Sequence, residues 1–176
     1  FSKFDLIYAG AQKNMGPAGT TLIVIKENIL GKVERNIPSM LSYKTHLDKD
    51  SMFNTPSVFA IYVSMLTLEW LKNLGGIPFI EKVNNKKAEL IYNEIDRNPL
   101  FKGFAAKEDR SNMNATFTLT DESLKETFDN LCLEAGISGI NGHRSVGGYR
   151  ASMYNALPLY SVQALVDVMQ ELEKNK

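Results

Sequence analysis

Asp5-Leu6-Ile7-Tyr8-Ala9-Gly10-Ala11-Gln12-Lys13-Asn14-Met15-Gly16-Pro17-Ala18-Gly19-Thr20-Thr21-Leu22-Ile23-Val24-Ile25 sets two short apolar runs on either side of a Gly- and Pro-rich loop. The first run, Asp5 to Tyr8, reads as a strand that stops at Gly10, and the second, Thr21 to Ile25, as a strand apolar on both faces. A strand with two apolar faces belongs inside a sheet covered by helices, which predicts an α/β arrangement. The loop between them carries Lys13 among Gly10, Gly16, Pro17 and Gly19, residues that hold a loop in a fixed path close to a ligand.

Downstream, residues 27–52 are mixed and mostly polar; Pro38, Ser39, Ser42, Lys44, His46, Asp48, Lys49 and Asp50 suit a surface loop or a partner contact. Asn54-Thr55-Pro56 predicts a helix start, with Thr55 as cap and Pro56 at the first helical position. That helix runs to Gly75-Gly76. Val58, Phe59, Ile61, Tyr62, Val63, Met65, Leu66, Leu68, Trp70 and Leu71 leave it almost no polar face, which predicts burial between layers. A second helix opens at Pro78, with Ile80, Val83, Leu90, Ile91 and Ile95 as its apolar stripe and Lys82, Lys86, Lys87 and Glu89 on a solvated face.

Met113, Ala115, Phe117 and Leu119 alternate with polar residues, the pattern of a half-buried strand. Leu124, Phe128, Leu131, Cys132 and Ala135 return at helical spacing up to Gly136, which puts Cys132 on a core face. A strand over Tyr149–Met153 and an amphipathic helix with Val162, Leu165, Val166, Met169 and Leu172 complete the chain. The second half therefore reads strand, helix, strand, helix, with a domain boundary near Gly75-Gly76.

Composition narrows the function classes. The 176 residues are 44% hydrophobic, enough for one ordinary domain or two small ones, and suit a soluble globular protein. Twenty basic against twenty acidic side chains give a formal charge of zero, so no global field draws the chain to nucleic acid or an anionic membrane. Any anion binding must be local. The longest nearly uninterrupted apolar run, Val58 to Leu68, is 11 residues, short of the ~20 that span a bilayer. Cys132 stands alone and cannot form an internal disulfide, which fits a reducing, cytoplasmic setting. The opening Phe1-Ser2-Lys3-Phe4 is neither an initiator methionine nor a signal peptide, and it reads as a cut end of a larger protein.

Four groups of residues could carry chemistry. Lys13 alone reads either as a solvated loop lysine or as a nucleophile, and nucleophilic work requires an amine kept partly neutral by desolvation or a nearby cation. Gly16-Pro17-Ala18-Gly19 lacks the full P-loop pattern, with Lys13 preceding the glycines, and suits a plain turn. Asn54 and Thr55 are either simple caps or phosphate ligands at a helix N-terminus. Gly142-His143-Arg144-Ser145-Val146-Gly147-Gly148-Tyr149-Arg150 sets two guanidiniums around a Gly-Gly pair. It is either a surface turn or a clamp for a dianion, since arginine forks match carboxylate and phosphate. His46 and His143 lie far apart and Cys132 reads as buried, so no compact metal-ligand set is expected.

Taken together and in order, these blocks resemble the phosphoserine aminotransferases, class-V aminotransferases of fold type I. Ala9-Gly10-Ala11-Gln12-Lys13-Asn14 with Gly16-Pro17-Ala18-Gly19 is similar to that family's cofactor-lysine segment. Asn54-Thr55-Pro56-Ser57 is similar to its phosphate-binding segment, and Gly142-His143-Arg144 through Gly147-Gly148-Tyr149-Arg150-Ala151-Ser152 to its substrate-anion loop. Trp70-Leu71-Lys72, Gly75-Gly76 and Tyr154-Asn155-Ala156 extend the likeness almost end to end.

The resemblance implies that residues 1–72 are the C-terminal part of a large pyridoxal-phosphate-binding domain, and 73–176 the complete small C-terminal α/β domain. It implies pyridoxal 5'-phosphate held as a Schiff base on Lys13. Gln12 would contact the cofactor phosphate, joined by Asn54 and Thr55 from the neighbouring subunit of a homodimer. Arg150 would take the substrate α-carboxylate, and His143 and Arg144 the phosphate of phosphoserine. The implied reaction exchanges phosphoserine and 2-oxoglutarate for 3-phosphohydroxypyruvate and glutamate, in serine synthesis and in many bacteria also pyridoxine synthesis. Because the family's N-terminal half is not in this sequence, the chain by itself is expected to be inactive. The alternatives are another fold type I enzyme, such as alanine-glyoxylate aminotransferase or cysteine desulfurase, and a non-catalytic α/β binding module. A desulfurase would need an exposed, reactive cysteine.

Overall fold

The computed structural model describes residues 2–144 and 147–176, which divide into two compact units, Phe1–Lys72 and Asn73–Lys176. In the first unit, β1 (Leu6–Gly10) and β2 (Thr21–Ile25) pair antiparallel, in register from Leu6 opposite Ile25 to Gly10 opposite Thr21. They form a two-stranded sheet, not the enclosed central strand predicted from the two apolar faces of β2. Two strands offer too little surface to enclose both faces, and Leu22 and Ile23 stay 51% and 40% exposed. Residues 27–52 are less loop-like than expected: 3-10 turns cover Glu27–Ile29 and Ser39–Leu41, and a short helix α1 covers Tyr43–Leu47.

Helix α2 spans Val58–Asn73. It starts later than the Thr55-Pro56 signal predicts. The Val58 N–H turns back to the Pro56 carbonyl, and the first helical bond runs from the Ile61 N–H to the Ser57 carbonyl. Ser57 thus takes the capping position, leaving Asn54, Thr55 and Pro56 in the approach to the helix. Burial also departs from expectation. Only Ala60, Ser64 and Leu71 of α2 are buried, while Phe59 and Tyr62 are 76% and 55% exposed. A helix apolar on every side needs partners on every side, and this chain covers only one strip of it.

The second unit begins with α3 (Gly76–Arg97), two residues earlier than Pro78. Pro78 sits in the first turn, where a missing N–H breaks no helical bond. A short strand β3 (Phe101–Gly103) follows that the sequence reading does not anticipate, since three residues are too few to show alternation. Then come β4 (Asn114–Leu119), α4 (Lys125–Glu134), β5 (Tyr149–Ser152) and α5 (Leu159–Lys174). The sheet is antiparallel in the order β3-β4-β5, with Thr116 opposite Arg150 and Phe117 opposite both Gly103 and Tyr149.

One core serves this unit. The inward residues of β4, Ala115, Phe117 and Leu119, alternate with partly exposed ones as their polarity predicts. They meet Phe128 and Cys132 of α4, and Val162, Leu165, Val166, Met169 and Leu172 of α5. Phe128 is fully buried, its ring edge-on to Phe101 at 5.2 Å and to Tyr149 at 4.9 Å between centroids. Helices α3 and α5 are joined by a polar knot. Buried Glu94 accepts from Arg97, Asn98 and Gln170, and Arg97 reaches on to Glu173. Burial alone would raise the Glu94 carboxyl pKa, but these donors outweigh it and hold the group below the usual range. Lys87 corrects the sequence reading: expected on the solvated face of α3, it is 0% exposed. Among the described residues no helix is long and apolar enough to cross a membrane.

Candidate active site

The loop between β1 and β2 holds Lys13. Its base is closed by the Ala11 N–H on the Thr20 carbonyl at 2.9 Å, and Ala11 is buried at 2% exposure. Immediately beyond, the Lys13 N–H turns back to the Ala11 carbonyl, which sends Gln12 and Lys13 outward to solvent-exposed positions. On its far side the loop is pressed against α2. A Cβ at Gly16 would lie 2.5 Å from Ser64 Oγ and 3.0 Å from Ser64 Cα, so only glycine fits there. A Cβ at Gly19 would lie 3.3 Å from Ser57 Oγ, so the loop abuts the segment that introduces α2. The lysine is thereby held on a short, anchored loop.

Ser64 was not singled out by the sequence, although one serine inside an apolar helix is a legible signal. It is buried and its Oγ donates to the Ala60 carbonyl at 2.8 Å, which lets the Gly16 backbone close on it. Asn54 and Thr55 are exposed, and Asn54 Nδ2 donates to the Thr55 carbonyl at 3.3 Å. Neither caps α2, so their local alternative role as caps is removed. The donor set of Gln12, Lys13, Asn54 and Thr55 offers two amides, a hydroxyl and an amine, the chemistry a phosphate ester and an aldehyde require.

In the second unit, the loop between α4 and β5 folds tightly. The Gly142 N–H donates to the Gly148 carbonyl and the Gly147 N–H to the His143 carbonyl, both at 2.8 Å. Gly148 has φ +62°, and a Cβ there would lie 2.7 Å from the Phe117 carbonyl oxygen, so the loop returns over β4 only with glycine at this position. His143 and Arg144 are exposed on this loop; Ser145 and Val146 of the same motif lie outside the described residues. Arg150 follows on β5. Its N–H donates to the Ile140 carbonyl at 2.7 Å, and the residue, itself exposed, lines a cavity of about 550 Å³ with Ser152, Met153, Leu157, Tyr160 and Ser161. His143 and Arg144 do not line that cavity.

Cys132 is 2% exposed, and burial pushes its thiol up to about 11. A thiol of that kind is not a nucleophile at neutral pH.

The chain belongs to the class-V aminotransferases: residues 2–165 match that family's model. Within the family it is similar to phosphoserine aminotransferases. It is 71% identical over 173 residues to the phosphoserine aminotransferase of Flavobacterium psychrophilum, covering 98% of this chain and 49% of the relative. The corresponding enzyme of Flavobacterium johnsoniae is 69% identical, with the same coverage. Among solved structures, the phosphoserine aminotransferase of Bacillus circulans subsp. alkalophilus superposes with a TM-score of 0.92 at 40% identity, over 99% of this chain and 48% of that one. A structure reporting radiation damage of the Schiff base in phosphoserine aminotransferase gives 0.91 at 46% identity, over 99% and 49%. The chain therefore has the mixed α/β fold of these fold type I enzymes and spans about half the length of the relatives it matches.

Proposed function

We propose that the protein containing this chain is a phosphoserine aminotransferase, which exchanges phosphoserine and 2-oxoglutarate for 3-phosphohydroxypyruvate and glutamate in serine synthesis, and which can also serve pyridoxine synthesis. The reading rests chiefly on Lys13, an exposed amine on a loop anchored by Gly16 and Gly19 against α2, in a chain 71% identical to a phosphoserine aminotransferase. Residues 1–72 are then the C-terminal part of the large domain and 73–176 the small domain. The enzyme works as a cytoplasmic homodimer whose subunits share each active site. Its ligands are small phosphoamino acids and oxo acids.

Pyridoxal 5'-phosphate, when bound, supplies the electron sink for breaking the substrate Cα–H bond. Lys13 Nζ would hold it covalently, and would serve as general base toward the substrate Cα proton and then as general acid that gives a proton back. The short loop would limit how far Nζ wanders between these two roles. Gln12 would hold the cofactor phosphate from the same subunit, and Asn54 and Thr55 would do so from the neighbouring one. Arg150 binds the α-carboxylate with its planar fork, while His143 and Arg144 take the phosphate of phosphoserine.

The test is borohydride reduction of the full-length enzyme followed by peptide mass analysis. The expected result is the cofactor mass fixed on the Lys13 peptide, and its loss together with turnover in Lys13→Ala. Fixation on another lysine, or full turnover by Lys13→Ala, contradicts the proposal.

A further inference from the structure

Among the described residues, Lys87 is the lysine whose surroundings reverse the exposure expected from its charge. It lies on the inward stripe of α3 with Ile80, Asn84, Ile91 and Glu94, and it is 0% exposed. Its Nζ donates to the carbonyls of Met153 at 3.1 Å, Tyr154 at 2.9 Å and Leu157 at 3.1 Å. An ammonium has three N–H bonds, and each finds one acceptor. Burial lowers the Lys87 pKa from the usual lysine range, yet the neutral amine would leave one of the three carbonyls without a donor.

Those carbonyls belong to one turn, the link from β5 to α5. Two further contacts tie it down. Asn84, one turn earlier on α3, donates from Nδ2 to Asn155 Oδ1 at 2.9 Å, and Asn114 of β4 donates to Tyr154 Oη at 3.4 Å. The turn includes Tyr154-Asn155-Ala156, part of the family-like sequence to which the proposed chemistry assigns no role. Its residues Met153 and Leu157 also line the cavity that Arg150 lines. Arg150 stands three residues before Met153, and its own N–H is bound to the Ile140 carbonyl. The strand segment bearing the guanidinium is therefore tethered at one end by the 140 loop and at the other by Lys87.

We propose that Lys87 is the positioning residue of the Arg150 cavity: by gathering the Met153, Tyr154 and Leu157 carbonyls it fixes the part of the cavity wall that Met153 and Leu157 share with Arg150, and so sets the affinity for the substrate carboxylate. The role of Arg150 as carboxylate ligand is taken from the proposed function. Lys87 touches no substrate atom and acts through β5.

The test uses the full-length, cofactor-loaded enzyme with Lys87→Met, which keeps the apolar stem and removes the donors, and the milder Asn84→Ala. Lys87→Met is expected to raise the KM for glutamate roughly tenfold, with kcat changed less than about threefold, because bound substrate restores part of the lost order. The Arg150 amide should exchange with deuterium roughly tenfold faster, while cofactor content is unchanged. Asn84→Ala should shift both readouts in the same direction by less. A variant that melts earlier but keeps the parental KM and Arg150 amide protection overturns the proposal. If Lys87→Met does not fold, Asn84→Ala decides, and unchanged values there overturn it as well. Should the parent enzyme fail to turn over phosphoserine, the proposed reaction is what fails. Lys87 is then judged by Arg150 amide exchange and by affinity for glutarate, a dicarboxylate that needs no turnover; both must weaken in Lys87→Met for its role to stand.

Discussion

Replacing Gly16 with alanine perturbs the Lys13 loop at its tightest point. The new Cβ would sit 2.5 Å from Ser64 Oγ, 3.2 Å from Ser64 Cβ and 3.0 Å from Ser64 Cα, with the backbone at φ +153°. Ser64 Oγ can rotate away, at the loss of its bond to the Ala60 carbonyl, which costs about 1 kcal/mol. The Ser64 backbone cannot, because it is part of helix α2. The loop must therefore shift, and backbone strain of about 1–2 kcal/mol adds to the first cost. The total is about 2–3 kcal/mol.

Thermal unfolding of the full-length enzyme by circular dichroism measures the loss, and steady-state kinetics report on Lys13, three residues upstream. The expected result is an earlier melt and a kcat reduced roughly tenfold, since sub-ångström misplacement of a reacting group carries costs of that order. Gly16→Ala combined with Ser64→Ala removes the Oγ clash but also removes the bond to the Ala60 carbonyl, and it leaves the new methyl pressed on the α2 backbone, so it should stay about 2–3 kcal/mol below the parent, no better than the single variant. A single variant as stable and active as the parent refutes the reasoning. So does a double variant restored to the parental stability.

Two further outcomes concern the second unit. Phe128→Ala empties a fully buried position among Phe101, Phe117 and Tyr149 and should destabilise by about 3–5 kcal/mol in denaturant unfolding; a loss under about 1 kcal/mol would show that the site collapses freely. Asp96 is held at about 2, chiefly by the Arg110 hydrogen bond against the opposing effect of burial, with Lys107 adding to the lowering. Its folded value lies below the usual 3.8, so its contribution is complete above about pH 4 and disappears as pH falls through 2. Asp96→Asn should cost about 0.5–1 kcal/mol at pH 7, after allowance for solvent screening, and flatten the acid limb between pH 4 and 2; an unchanged acid limb contradicts the pairing.

Local pattern and tertiary environment divide this protein cleanly. The alternation of Met113 to Leu119, the stripe of α5 and the core position of Cys132 were legible because each depends on side-chain spacing within one element and on one apolar face. The Lys13 loop was legible for the same reason: glycines and a proline between two apolar runs describe a turn before anything else is known. The start of α2 lies later than its sequence signal because Thr55-Pro56 is an adequate cap signal, and only the turn back from Val58 to Pro56 moves the cap to Ser57.

Beyond spacing, the sequence could not say which apolar faces would find partners. It determined that α2 and β2 are apolar on all sides, but their exposure in this chain is a property of the two-stranded sheet and the single strip of α2 covered within it. Lys87 makes the same point for a polar residue. Its place on the stripe with Ile80, Asn84, Ile91 and Glu94 is written in the helical spacing, but its burial is stable only because three carbonyls 66–70 positions later converge on one amine. Charge alone predicts exposure, and only the folded chain supplies the acceptors that reverse it.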